Sequence, residues 1–134
     1  MISVEEIRAR LVPLTDDKDL RLIVLFGSAA SGKVHCQSDI DLAFLYDGKV
    51  NTLSLTNEIL RLLNTDQVDA VDLRRASPLL KFSIARNGIP LYERRPGLFS
   101  EFCSLAFRRY VDTKKLRYAR AQEIRLFLES RGLA

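Results

Sequence analysis

The chain has 134 residues, 47% hydrophobic and 28% charged, with a formal net charge of +4 at pH 7. That length suits one domain with a real core, and no apolar run of 18 residues offers a membrane span. Cys36 and Cys103 are too few and too unpatterned for a disulfide scaffold or a zinc site, so a reducing cytoplasm is the expected compartment.

Ser3-Val4-Glu5-Glu6 reads as a capping box. Val4, Ile7 and Leu11 then mark one face of a short helix that stops near Pro13. This acidic, amphipathic N-terminus is unlike a secretory signal. Thr15 to Asp19 reads as a polar loop. Leu20 to Phe26 is the first core strand, apolar on both faces apart from Arg21.

Gly27 to Asp41 follows, and it organises the chain. It reads as a Gly-Ser pair, ten intervening residues, then Asp39-Ile40-Asp41. The spacing predicts a glycine turn with a short helix, then a second strand, running on through Leu42 to Tyr46, that opens on two carboxylates. Side chains alternate along a strand, so Asp39 and Asp41 share a face. Two ionised carboxylates at that separation repel, and a divalent cation removes the repulsion. Mg²⁺ takes one or two carboxylates and completes its shell with water and substrate phosphate. Paired metals on such a face support in-line displacement at phosphorus. The turn supplies anion contacts: Gly27 lets backbone approach a ligand, and Ser28 adds a hydroxyl donor beside amides at a helix start. Gly27 to Val34 also nearly spells a P-loop. There, however, Val34 replaces the hydroxyl residue that binds Mg²⁺, and no long helix follows before the next strand. His35, the only histidine, sits in the loop, where an exposed and idle side chain is the plainer reading.

Asp47-Gly48 marks a turn. Thr56, Ile59, Leu60 and Leu63 line the face of a second helix capped by Asn51 or Thr52. Gln67 to Leu73 is a third strand carrying Asp69 and Asp72, which fall on opposite faces. A strand–helix–strand crossover of this length places the third strand parallel to the second. Strand starts then lie at one end of the sheet, so Asp69, not Asp72, joins Asp39 and Asp41. Asp69-Val71-Leu73 mirrors Asp41-Ala43-Leu45. Asp72 belongs to the loop or to a contact with Arg74 or Arg75.

Ser77-Pro78 opens a third helix that Asn87-Gly88 ends, with Leu80, Phe82 and Ile84 as core-facing candidates. Ile89 to Tyr92 is an edge strand, since Pro90 cannot donate to a ladder. Two further helices follow Leu98. Phe99, Phe102, Ala106 and Tyr110 form the stripe of the first. Leu116, Ala119, Ile124, Phe127 and Leu128 form that of the second, after a break at Asp112-Thr113. The aromatic stripe reads as packing rather than a base-stacking platform. Residues 1–97 hold 13 basic and 13 acidic residues, and residues 98–134 hold 8 and 4, so the whole surplus lies in the tail. A basic tail suits an acidic partner, nucleic acid, or a plain solvated face. Direct nucleic-acid binding is the least supported of these.

Gly-Ser, ten residues, Asp-x-Asp resembles the signature of the DNA polymerase β-type nucleotidyltransferase superfamily. The short chain, Ser38-Asp39-Ile40-Asp41-Leu42 and the stretch Val68 to Leu73 resemble its minimal nucleotidyltransferases (MNT), which are commonly antitoxins of bacterial HEPN–MNT toxin–antitoxin pairs. The likeness covers roughly residues 3–95. It implies an α/β fold: a mixed-sheet, polymerase β-like core over residues 1–97, with C-terminal helices over 98–134 that pack on the core or form a partner interface. It implies nucleotide contacts from Gly27 and Ser28, and metal and catalytic roles for Asp39, Asp41 and Asp69. Asp69 is then the base or a second-metal ligand. The implied reaction uses Mg²⁺ and ATP to transfer AMP to a tyrosine hydroxyl on a cognate HEPN ribonuclease toxin. Three other readings stay open: a small-molecule adenylyltransferase, an antitoxin that works by contact alone, and a nucleic-acid binder that uses the basic tail. Many members carry Gly-Ser-x-Ala-Arg-Gly, and here Ser31 replaces that arginine, removing a phosphate partner.

Overall fold

The computed structural model describes residues 2–27, 30 and 39–133. Helix α1 spans Val4–Arg10, and the Ser3 Oγ accepts the Glu6 amide at its N-terminus. The return half of the expected capping box is replaced, because the Glu6 carboxylate turns to Arg10 at 3.8 Å. The stretch expected to be a polar loop starts differently. Val12–Asp16 forms a 3₁₀ turn with Pro13 in its first turn, where a missing amide costs nothing.

Strand β1 is Leu20–Phe26 and β2 is Ile40–Tyr46. Helix α2, Thr52–Leu63, is capped by the Asn51 side chain, which accepts the Ser54 amide. Strand β3, Val68–Asp72, follows, then α3, Pro78–Asn87, capped by Ser77. Strand β4 is Ile89–Glu93, α4 is Leu98–Asp112 and α5 is Lys114–Ser130. The sheet order is β3-β2-β1-β4. The β1–β2 and β1–β4 pairs are antiparallel and β2–β3 is parallel, as the crossover rule requires. This is a mixed α/β sheet with β4 at its edge, where Pro90 sits at a register shift.

Alternation along the strands makes two cores. One face carries Ile23, Leu25, Leu42, Phe44 and Tyr46, covered by Ile7 and Leu11 and by Leu55, Ile59 and Leu63 of α2. The α2 stripe is therefore 55-59-63. Thr56 and Leu60 flank it half-buried, one position round the helix from the expected line. The other face carries Val24, Ala43 and Leu73 under Ile84 of α3, with Phe99 and Phe102 of α4 against it. Gly88 ends α3 for a reason other than a left-handed cap. Its φ is −75°, but a Cβ there would lie 2.6 Å from Val24 Cγ1 and closer still to the Ile84 carbonyl oxygen. Helix and sheet meet through the absent side chain.

Helix α4 packs on α3: Tyr110 stacks on Phe82 at 3.8 Å between ring centroids, and Phe107 meets the same ring edge-on at 5.4 Å. Helix α5 departs from the expected pattern. Among its described residues none is buried, and Leu116, Ile124 and Phe127 are 61%, 60% and 56% exposed. Its direction is set at Thr113. The Thr113 hydroxyl donates to the Arg109 carbonyl, Arg117 Nη2 donates to the Tyr110 carbonyl at 3.0 Å, and the Arg117 guanidinium lies 4.0 Å over the Tyr110 ring. Among the described residues, no helix is long and apolar enough to cross a membrane.

Candidate active site

Strand β2 holds Asp41 in place by three pairings. Its Cα lies opposite Phe26 of β1 and opposite Asp69 of β3, and the Ile40 amide just before it donates to the Gln67 carbonyl at 2.8 Å. Residues level with one another on neighbouring strands point to the same side, about 4.8 Å apart along the hydrogen-bonding direction. Asp41 and Asp69 therefore stand side by side. Asp39, directly before β2, is exposed at the same strand end.

The electrostatics report the same grouping. The Asp41 carboxyl titrates above the ordinary aspartate range, first because it is partly desolvated, then because of the Asp69 charge, then because of Asp39. Two acids thus act on a third, and the cluster favours a cation. Gly27 closes the site from β1. Its φ is +74°, and a Cβ there would run into Asp41 Oδ2, with the carboxyl carbon at 3.2 Å. The glycine backbone therefore forms one wall of the Asp41 carboxylate's space. The Ala30 amide donates to the Gly27 carbonyl at 3.2 Å, which closes a turn directly after β1.

The donor set bears on the expected metal. Among the described residues no group of three or more His, Cys, Asp or Glu side chains gathers closely enough to hold a metal by itself. What is present is a set of carboxylates at one strand end, open to solvent on the Asp39 and Asp69 side. That fits an ion that draws the rest of its shell from water and phosphate, as Mg²⁺ does, and not a closed protein cage. Ser28, Lys33, His35 and the expected short helix lie outside the described residues. Asp72, level with Phe44, is on the opposite face. It accepts the Arg74 amide at 3.0 Å, as a loop-capping residue.

Residues 11–96 match the family described as Polymerase beta, Nucleotidyltransferase. The chain belongs to that family. It is a nucleotidyltransferase. Among curated proteins it is 31% identical to the protein adenylyltransferase MntA of Aphanizomenon flos-aquae, over 98% of this chain and 94% of that protein. Among solved structures it is similar to a toxin–antitoxin crystal structure with AMP-PNP (TM-score 0.76, 29% identity, 87% of this chain and 97% of that one). It is also similar to a chain of the tri-AMPylated HEPN toxin of Shewanella oneidensis in complex with MNT antitoxin (TM-score 0.73, 25% identity, 90% and 98%). The family's sheet is the one described above, and the expected resemblance holds.

One cluster had no counterpart in the sequence reading. Arg21, Arg74, Lys81 and Arg109 come from four separate stretches and line one cavity at the far end of the sheet. The only advance signal was a single arginine in an otherwise apolar strand.

Proposed function

We propose that the chain is an antitoxin that transfers AMP from ATP to a tyrosine hydroxyl of a cognate HEPN ribonuclease toxin, with Mg²⁺, and so neutralises it. The observation that carries this is the register that sets Asp41 level with Asp69, beside Gly27 and next to Asp39. The relatives support the rest: one is named a protein adenylyltransferase, and one similar structure contains an AMPylated HEPN toxin. Asp39 and Asp41 would hold the metal, and Asp69 would share it or take the proton from the attacking hydroxyl. Gly27 and Ser28 would hold the β- and γ-phosphates. When bound, Mg²⁺ supplies charge neutralisation for the entering and leaving oxygens. The new bond joins the acceptor oxygen to the α-phosphorus, and the bond to pyrophosphate breaks.

The acceptor would come from another protein, as the similar structure with an AMPylated HEPN toxin supports. Helices α4 and α5 would form the docking surface. The basic surplus of residues 98–134 and the exposed Leu116, Ile124 and Phe127 support that reading. Arg117 is a poor probe of it, being engaged with Tyr110 and Thr113. Arg120 is exposed and serves instead. The deciding assay incubates the purified chain with the neighbouring toxin, ATP and Mg²⁺, and follows intact toxin mass. Whole AMP increments on a tyrosine support the proposal, and an unmodified toxin refutes it. A second reading, neutralisation by contact alone, is favoured by α5, whose apolar face exists independently of the carboxylates. If Asp39→Asn/Asp41→Asn still neutralises the toxin at equal dose, contact is sufficient.

A further inference from the structure

The sheet face that carries Asp41 and Asp69 carries a second feature at its other end. Leu45 lies four residues beyond Asp41 on β2, about 13 Å at 3.3 Å per residue. Between them on that face is Ala43, fully buried and in the cluster of Ile84, Val24 and Leu73. Beyond this plug is a cavity of about 360 Å³ between α4, the start of α3 and the ends of β2 and β3. That volume is in the small-molecule range, at its lower end.

The lining is chemically lopsided. Arg21, Arg74, Lys81 and Arg109 face one acid, Glu101. Glu101 is already held by both guanidinium nitrogens of Arg95, each at 3.1 Å. Asp47, the acid nearest Arg21, accepts from Arg94 at 2.8 Å and stands 3.6 Å from Arg21 Nε, beyond hydrogen-bond distance. Arg21 Nε is buried, and among the described residues it has no hydrogen-bond partner. A buried donor left in that state costs about 1–3 kcal/mol. The Lys81 ammonium is also held in an unfavourable place, titrating below the usual lysine range through burial and then the Arg109 charge, with Asp72 acting in the other direction. The floor is apolar: Leu45, Leu73 and Phe102.

We propose that this cavity is a second ligand site, separate from the carboxylates, that takes a phosphomonoester with an apolar or aromatic body. Glu101 is the one acid in the lining and is held by Arg95, while Asp47 beside Arg21 and Asp72 near Lys81 offset part of the charge from outside it. The cationic excess that remains suits a phosphate, whose oxygens arginine forks match in pairs. The apolar floor calls for an organic body rather than a bare inorganic ion. The cavity is half open, with Arg74 and Arg109 exposed, and its concave apolar floor favours a small molecule over a flat protein contact.

The test is calorimetric titration of the full chain with phenyl phosphate in EDTA, which keeps divalent ions off the carboxylates. Saturable one-to-one binding is expected, weakened at least about tenfold by Lys81→Ala/Arg109→Ala. Arg74→Gln/Arg109→Gln, both at exposed positions, provides a second variant should the first fail to fold. Lys81→Arg should stay within about threefold, Asp39→Asn/Asp41→Asn should bind as wild type, and benzyl alcohol should not bind. An AMP arm sorts the source: tighter binding than phenyl phosphate that Lys81→Ala/Arg109→Ala weakens assigns the site to nucleotides, and equal binding that the same variant weakens assigns it to phosphomonoesters at large. The proposal is overturned by no saturation below about 10 mM, by affinity that both double variants leave unchanged, or by equal binding of benzyl alcohol. Displacement of phenyl phosphate by RNA oligomers with affinity rising with length would overturn it too, in favour of a nucleic-acid surface.

Discussion

Gly27→Ala and Gly48→Ala form a matched pair that isolates the wall of the active site. Both glycines have positive φ, +74° and +89°. Alanine in that region costs about 1–2 kcal/mol in either place. At Gly48 nothing lies within 4 Å of the new Cβ, so backbone strain is the whole effect. At Gly27 the methyl would meet Asp41 Oδ2, so the carboxylate must also rotate. Pushing a side chain off its rotamer adds about 0.5–1.5 kcal/mol. The expected stability losses are therefore about 1–2 kcal/mol for Gly48→Ala and about 1.5–3.5 kcal/mol for Gly27→Ala, from urea unfolding. Activity should separate them further. An Asp41 carboxylate displaced by even 1 Å should cut the AMP-transfer rate about a hundredfold, whereas Gly48→Ala, on the loop after β2, should keep it. Equal stability losses together with equal activities would refute the argument that Gly27 shapes the carboxylate's space.

Three further outcomes follow from the same coordinates. Asp41→Asn removes a charge that partial burial disfavours and that Asp69 and Asp39 oppose, so in EDTA it should raise stability, by at most about 1 kcal/mol at a site still partly open to solvent, while abolishing transfer. Mg²⁺ at ten times its Kd should then stabilise wild type by about 1.4 kcal/mol and the variant by much less, read as a thermal shift. Tyr46 is 8% exposed, and burial, then the Asp17 charge, push its phenol up to about 12. The raised folded value means this contribution is complete below pH 10 and is lost as pH climbs from 10 to 12, by about 3 kcal/mol in all. Tyr46→Phe should flatten that part of the stability–pH curve, and identical curves would refute the assignment. Arg120→Glu with Ile124→Glu should weaken toxin binding at least tenfold in a pull-down or calorimetric titration without moving the melting temperature, since neither side chain is buried.

The Asp69 position was legible in the sequence because two strict rules meet there. Alternation separates Asp69 from Asp72, and the parallel crossover puts strand starts at one end, so the Asp41–Asp69 register was already implied. The caps at Ser3 and Ser77 were legible for a similar reason, since each is a local hydrogen bond with a fixed reach, and the α2 cap was narrowed to Asn51 or Thr52, of which Asn51 serves. Other features were not, because they depend on what lies opposite. Leu55 and Thr56 stand four and three residues before Ile59, both helical spacings, and the sheet buries the apolar one, Leu55. Gly88 looks like a helix stop, but its requirement comes from the Ile84 carbonyl together with Val24, 64 residues earlier in the chain. The α5 pattern of Leu116, Ile124 and Phe127 has the same periodicity whether its partner is this core or another protein. Sequence period reports that a face is apolar, not what covers it.

The two ends of one sheet face carry opposite charge, and this has a consequence for the order of binding. ATP is a polyanion, and the strand end with Asp39, Asp41 and Asp69 repels it until a cation is present. The chain's net charge of +4 attracts it from a distance, and the far-end arginines contribute to that attraction. Salt screens the long-range part within about 8 Å at physiological strength, but acts much less on acids on adjacent strands. Added salt should therefore slow nucleotide association while leaving the metal requirement intact. A metal-free chain that bound ATP as tightly as the Mg²⁺ form would mean that the three aspartates do not face the phosphates.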